Sequence, residues 1–324
     1  MRGTQIIFRG LKMDNKSIEL ISEIEKSINS VVVGKADKVR LALVALFSGG
    51  HILLEDVPGV GKTTLAKAIA GTIGCDFGRI QFTPDTLPSD ISGVSIYNMG
   101  TGTFDFMPGS IMHQIVLADE INRTSPKTQA SLLEAMEEHQ VTVDGKVHKL
   151  SEPFMVIATQ NPVDFLGTYN LPEAQLDRFM MRISLGYPDA LEEKHMAEDF
   201  IHGINVKGVK PVTDAEGINE LKKQADAINI KSEVIKYIVD ICRATREDKR
   251  VTLGVSPRAV IALSKAAQGL ALIKGREYVL PDDVQELAAP VLAHRMVLSM
   301  EAKVNHTPAE SIVEQIVKKV KAPV

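Results

Sequence analysis

Cysteine is scarce: Cys75 and Cys242 stand alone, far apart and without the spacing of a metal-ligand set. Such a pair encodes no disulfide framework, and both read as reduced thiols of a cytosolic protein. Basic charge is not in excess, with 37 Lys and Arg against 41 Asp and Glu, a formal charge of -4 and a pI near 6.1. That balance supplies no overall basic field for nucleic acid, although it leaves room for a local patch. No apolar run approaches the ~18 residues that a membrane span needs, and Met1 to Lys12 lacks a signal-peptide core. The expectation is a soluble, cytoplasmic protein. Histidines are scattered over unrelated stretches rather than gathered as ligands, and the 12 methionines form no stripe.

What is present is enough apolar material, 44% of the chain, to build real cores. A length of 324 residues suits about two domains on a prior of ~150 residues each. Residues 1–30 divide into a loose basic tail, with Met13 as an alternative start, and an amphipathic helix carrying Ile18, Ile21, Ile24 and Ile28 at helical spacing. Val31 to Gly34 end that helix, and Lys35 to Phe47 resume one. Residues 31–47, ahead of the first core strand, either flank the adenine or simply pack in the core.

The chain is organised around Val57-Pro58-Gly59-Val60-Gly61-Lys62-Thr63-Thr64, between the apolar run His51 to Leu54 and a helix-like stretch from Leu65 to Ile73. Strand, glycine turn and helix start make a phosphate cradle, in which the glycines let backbone N–H groups approach an anion. Lys62 would reach the β- and γ-phosphates, and Thr63 would hold Mg²⁺. Asp56 stands where the first glycine of G-x-x-x-x-G-K-[ST] belongs, so its carboxylate must point away from phosphate or cap the turn. The plain alternative is a Gly/Pro turn with a solvated lysine.

Further strands are expected at Gly78–Phe82, Gln114–Ala118, Phe154–Ala158 and Phe179–Leu185. The apolar runs fit a buried parallel sheet. Between Thr83 and Ser110 lies a long irregular stretch holding two alternating segments, and Asp144-Gly145 sits between alternating residues as a hairpin turn. From about Tyr187 the pattern turns helical, with helices expected at Leu191–Phe200, Thr213–Ala227, Lys231–Glu247, Pro257–Ile273, Pro281–Leu298 with a kink at Pro290, and Pro308–Lys321.

Asp119-Glu120, at the carboxyl end of an apolar strand, completes the chemistry of phosphoryl transfer to water. Asp119 would hold the magnesium through its water shell and Glu120 would polarise the attacking water. Asn161, ending the next strand, could orient that water, or be an ordinary turn asparagine before Pro162.

These segments, with Leu133-Glu134-Ala135-Met136-Glu137-Glu138, Leu171 to Phe179 and Ser256-Pro257-Arg258-Ala259, resemble in order the signatures of the MoxR family of AAA+ ATPases over roughly Val31 to Arg295. The resemblance implies an α/β fold: a RecA-like P-loop αβα sandwich with a parallel sheet (31–187), then a smaller all-α lid (188–324). It implies ATP and Mg²⁺ as ligands and a ring, usually a hexamer. Glu120, Asn161, Arg178 and Arg258 are then the catalytic set: water-activating residue, sensor 1, arginine finger offered to a neighbour, and sensor 2 of the lid. Pro58, Gly59, Val60, Gly61, Lys62, Thr63 and Thr64 hold the nucleotide, and Thr63 and Asp119 the metal. Arg178 could instead pair with a carboxylate and Arg258 decorate its helix; Arg182 is a further finger candidate. The implied role is chaperone-like remodelling or maturation of a protein client, including metal-cofactor insertion, beside proteins with a von Willebrand factor A domain. Rival readings are a nucleic-acid-dependent motor, a magnesium-chelatase-like subunit, and a switch that binds ATP without hydrolysing it.

Overall fold

The computed structural model describes residues 15–57, 59–161, 169, 171–187, 190, 193–194, 198, 201 and 209–323. The amino-terminal tail, Pro58, Pro162 and most of the helix expected over 191–200 lie outside the described residues.

Helix α1 (Asn15–Asn29) buries Ile21, Ile24 and Ile28, while Ile18 stays exposed one turn before the packed stripe begins. Helix α2 (Ala36–Phe47) follows, and β1 (Ile52–Glu55) leads through the glycine turn into α3 (Lys62–Thr72). Strands β2 (Phe77–Gln81), β5 (Ile115–Asp119), β8 (Met155–Gln160) and β9 (Met181–Ile183) join β1 in one sheet. The order β2-β5-β8-β1-β9 is parallel throughout. Between β2 and β5 come the short helix α4 (Pro88–Ser92) and the hairpin β3 (Gly93–Asn98) to β4 (Thr103–Pro108). Helix α5 (Pro126–Glu138) starts at Ser125, whose side chain accepts from the Thr128 N–H, and runs into the hairpin β6 (Gln140–Val143) to β7 (Lys146–Lys149). Asp144 and Gly145 both take positive φ, 49° and 75°, the turn that matches strand twist. Helix α6 (Glu173–Leu176) is a single turn before β9.

Alternation along the strands sorts the core into two layers. Ile52, Leu54, Leu117 and Ile157 face α1, α2 and α3, whereas Leu53, Val116, Ala118 and Val156 face α5. The first of these cores continues without a break into Leu263, Leu270 and Leu287 of the helical part. Ile21, Ile24 and Ile28 of α1 lie in that same core.

Helices Ala215–Ala227, Ser232–Glu247, Pro257–Ile273, Pro281–Leu292 and Ala309–Lys319 build the lid. It also contains a two-stranded antiparallel ladder, Val251–Leu253 with Val297–Leu298. The helix expected to reach Leu298 stops at Leu292, past Pro290, because the next residues turn inward. His294 meets the Phe179 carbonyl at 3.0 Å, and Arg295 donates to Asp177 at 2.7 Å and to the Phe179 carbonyl at 2.6 Å. Cys75 and Cys242 are buried free thiols, each raised to about 11 by burial. Among the described residues no helix is long and apolar enough to cross a membrane.

Candidate active site

Three strand ends meet at the carboxyl edge of the sheet. β1 delivers the glycine turn, β5 delivers Asp119-Glu120, and β8, hydrogen-bonded between them, delivers Thr159 to Asn161. Open parallel sheets bind ligands at this edge, where neighbouring strands connect in opposite directions.

Gly59 and Gly61 hold φ of 88° and 94°, a left-handed conformation that side chains disfavour, and a Cβ at either would meet nothing within 4 Å. The turn is thus open on the side where an anion would lie. Helix α3 begins there with Gly61 at its cap and no side chain capping its first N–H groups, those of Lys62, Thr63 and Thr64. Unclaimed N–H groups at a helix start favour an anion. Val60 packs on the core beside the turn. Lys62 Nζ donates to the Asp56 carbonyl at 2.7 Å. Burial lowers its pKa, while Asp56, Asp119 and Glu120 pull the other way.

Asp56 itself is buried and turned from the cradle. Its carboxylate accepts from Ser184 Oγ at 2.7 Å, Leu185 N at 2.6 Å and Gly186 N at 3.1 Å, capping the chain that leaves β9. A carboxylate at the first-glycine position is thereby compatible with phosphate nearby.

Thr159, fully buried, joins the other two strand ends. Its hydroxyl donates to Asp119 Oδ1 at 2.7 Å and accepts the Glu120 N–H at 2.8 Å. Arg79 Nη2 donates to the other Asp119 oxygen at 2.6 Å. Glu120 sits at φ 59°, a region that non-glycine residues seldom adopt, and it takes hydrogen bonds from Gln81 at 3.0 Å and Arg123 at 2.9 Å. Asn161 is buried at the end of β8, its carbonyl accepting from Asn122 at 3.2 Å. Thr159, Arg79, Gln81 and Arg123 were not singled out in the sequence. Their partners lie on other strands or across a turn, and only the threonine inside an otherwise apolar strand end was a local sign.

The carboxyl edge thus gathers Gly59, Val60, Gly61, Lys62, Thr63, Thr64, Asp119, Glu120 and Asn161. It does not gather Arg178 and Arg258. Arg178 precedes β9, whose first residue pairs with Ile52, the first of β1, so it lies at the opposite, amino edge. There Arg178 Nη2 contacts Glu137 Oε2 at 3.0 Å, and Arg258 Nη2 donates to Glu137 Oε1 at 2.5 Å. The length of a strand, roughly 13 Å at ~3.3 Å per residue, therefore separates these two arginines from the cradle of their own chain. Arg182, the further finger candidate, is spent on Glu55 at 2.9 Å and on Glu310.

Magnesium fits the residues present. Among the described residues no three His, Cys, Asp or Glu side chains converge as a metal cage. Mg²⁺ needs none, because it keeps waters and takes one or two carboxylates with substrate phosphates. Asp119 and the Thr63 hydroxyl are the side chains that would hold it, and when bound it would offset charge developing on the phosphates.

A parallel sheet in this order, with a phosphate cradle after its first strand, a carboxylate pair after its third and a helical lid, defines an AAA+ nucleotide-binding protein. The family model for the ATPase family associated with various cellular activities matches residues 51–181, and that for the AAA lid domain matches 243–316. The chain is 38% identical to Chaperone MoxR1 of Mycobacterium tuberculosis over 91% of its own length and 80% of that protein's. It belongs to the MoxR family of AAA+ ATPases. A Bacillus subtilis relative, named only as the uncharacterized protein YeaC, is 52% identical over 94% of this chain and 95% of its own. A crystal structure of a Cytophaga hutchinsonii protein, provisionally named an ATPase, superposes with a TM-score of 0.88 at 38% identity, covering 96% of this chain and 97% of that one.

Proposed function

We propose that the chain hydrolyses Mg-ATP in a ring of identical subunits, a hexamer on the family pattern, and uses the cycle to remodel or mature a protein client. The observation that carries hydrolysis is the pair at the end of β5: the Thr159 hydroxyl donates to the Asp119 carboxylate at 2.7 Å and accepts the Glu120 backbone N–H at 2.8 Å, while Gln81 and Arg123 hold the Glu120 carboxylate at 3.0 and 2.9 Å. A metal-holding carboxylate and a water-activating carboxylate in fixed relation are what transfer to water requires. Gly59 to Thr64 take the phosphates and Asn161 orients the water. Arg178 and Arg258, at the far edge of the sheet, serve the nucleotide of an adjacent subunit, since the length of a strand separates them from their own cradle. The client reading rests on the chaperone name of the Mycobacterium relative. A protein with a von Willebrand factor A domain is the first candidate, and metal-cofactor insertion a narrower form of the same role.

Glu120→Gln tests this directly. An amide fills the same space without polarising water, so ATP binding should persist while turnover falls by about 10²-fold or more. Loaded with ATP, this form should hold ring and client together for co-purification. Turnover within a few-fold of the parent would remove Glu120 from the chemistry, and a trapped ring carrying nucleic acid instead of protein would overturn the client reading.

A further inference from the structure

At the amino edge of the sheet one carboxylate serves two guanidinium groups that come from different parts of the chain. Glu137 lies at the end of α5, Arg178 just ahead of β9, and Arg258 in the first turn of the lid helix Pro257–Ile273. The bases of the two arginines are bolted together. Ser256 Oγ donates to Asp177 Oδ2 at 2.8 Å and accepts the Arg258 N–H at 3.1 Å, so the residue beside Arg178 and the cap before Arg258 share one link. Arg295, with its side chain 2% exposed, grips the same segment through Asp177 and the carbonyls of Phe179 and Met180.

The tips are held differently. Each guanidinium gives only its Nη2 to Glu137, at 3.0 and 2.5 Å, and their side chains remain 29% and 51% exposed. Two like charges fixed at neighbouring bases repel, and a long side chain with several rotamers would splay into solvent without an anion between the tips. A carboxylate taking one nitrogen from each keeps the pair together and leaves Nε and Nη1 of both for another acceptor.

We propose that Glu137 is a positioning residue: it sets Arg178 and Arg258 as one outward-facing pair for the γ-phosphate held by the adjacent subunit. The inference rests on the trans-acting reading of those arginines given above. Glu137 stands at the edge opposite its own chain's cradle and acts on a site in another chain.

The test uses full-length Glu137→Gln, alone and mixed with Lys62→Ala, after co-assembly of the two has been shown. Alone, Glu137→Gln should keep its unfolding midpoint within a few degrees and its KM for ATP near the parent's. Its kcat should fall roughly tenfold or more, the scale on which misplaced catalytic groups lose rate. Mixed with Lys62→Ala, which lacks a cradle but keeps Glu137 and both arginines, turnover should recover, because some junctions then join an intact cradle to an intact pair. A purely structural role would not be complemented in this way. Arg178→Ala mixed with Lys62→Ala runs in parallel. If that pair recovers while the Glu137→Gln mixture does not, or if Glu137→Gln alone is as active as the parent, Glu137 has no positioning role and the trans reading stands. If Arg178→Ala is not rescued, both fall. Should Glu137→Gln fail to fold, Glu137→Asp, which keeps the charge but shortens its reach, carries the same comparison.

Discussion

Removing the Asp56 carboxylate would strand the Leu185 and Gly186 N–H groups and the Ser184 hydroxyl. Stranded buried donors cost about 1–3 kcal/mol each. Of these donors only the Leu185 N–H is buried, so Asp56→Gly, which restores the full glycine spacing of the phosphate loop, should nevertheless lower stability by about 1–3 kcal/mol. Urea unfolding checks the loss, and titration with Mg-ATP should show no gain in affinity. A carboxylate beside a phosphate loop looked out of place in the sequence, and that oddness was legible. Its destination was not, because Ser184 lies far along the chain. The same limit applies to Thr159: a hydroxyl in an apolar strand end is a local sign, but its partners appear only when β5 is laid against β8.

Elements were more legible than their ends. Each of the five strands and both hairpins follows from alternation, buried runs and turn residues, whereas the lid helix expected to reach Leu298 gave way to the inward turn of His294 and Arg295. Their contacts, with Phe179 and Asp177, are tertiary. The two hairpins touch through Phe106 of β4 and His148 of β7, stacked at 3.7 Å between ring centroids. Val94, Ile96, Phe104 and Met107 of the first hairpin and Val147 of the second stay exposed. The second leads from the end of α5 into the amino end of β8, the edge opposite the one where Asp119 ends β5. Shortening the second across Asp144-Gly145 should spare ATP affinity, measured by calorimetry, and impair client remodelling. Loss of folding or of nucleotide affinity would instead make these hairpins structural parts of the nucleotide domain.

Across the whole molecule the buried histidines tie stability to pH. His51 accepts the Val156 N–H at Nδ1, 3.0 Å, and so donates from Nε2 to the Met136 carbonyl at 3.1 Å, as a neutral ring. Burial lowers its pKa from 6.5 to about 4, with the neighbouring His139 and Lys222 pushing the same way. His294, buried beside Arg295, is lowered too. Between about pH 4 and 6.5 the unfolded chain binds the His51 proton and the native chain does not, so stability rises with pH through that window. It is fully present above 6.5 and lost as pH falls toward 4, by about 3 kcal/mol from His51. Unfolding midpoints measured from pH 7 down to 4 should fall steeply in the parent and less so in His51→Gln compared with its own value at pH 7.

The sheet carries its phosphate cradle at one edge and its paired arginines at the other. On the trans-acting reading, complete sites then belong to junctions rather than to chains. An isolated chain owns none, an open row of n chains owns n − 1, and a closed ring owns n. Closing the row adds a working site without adding a residue, so the last junction made brings in an activity that no subunit possessed.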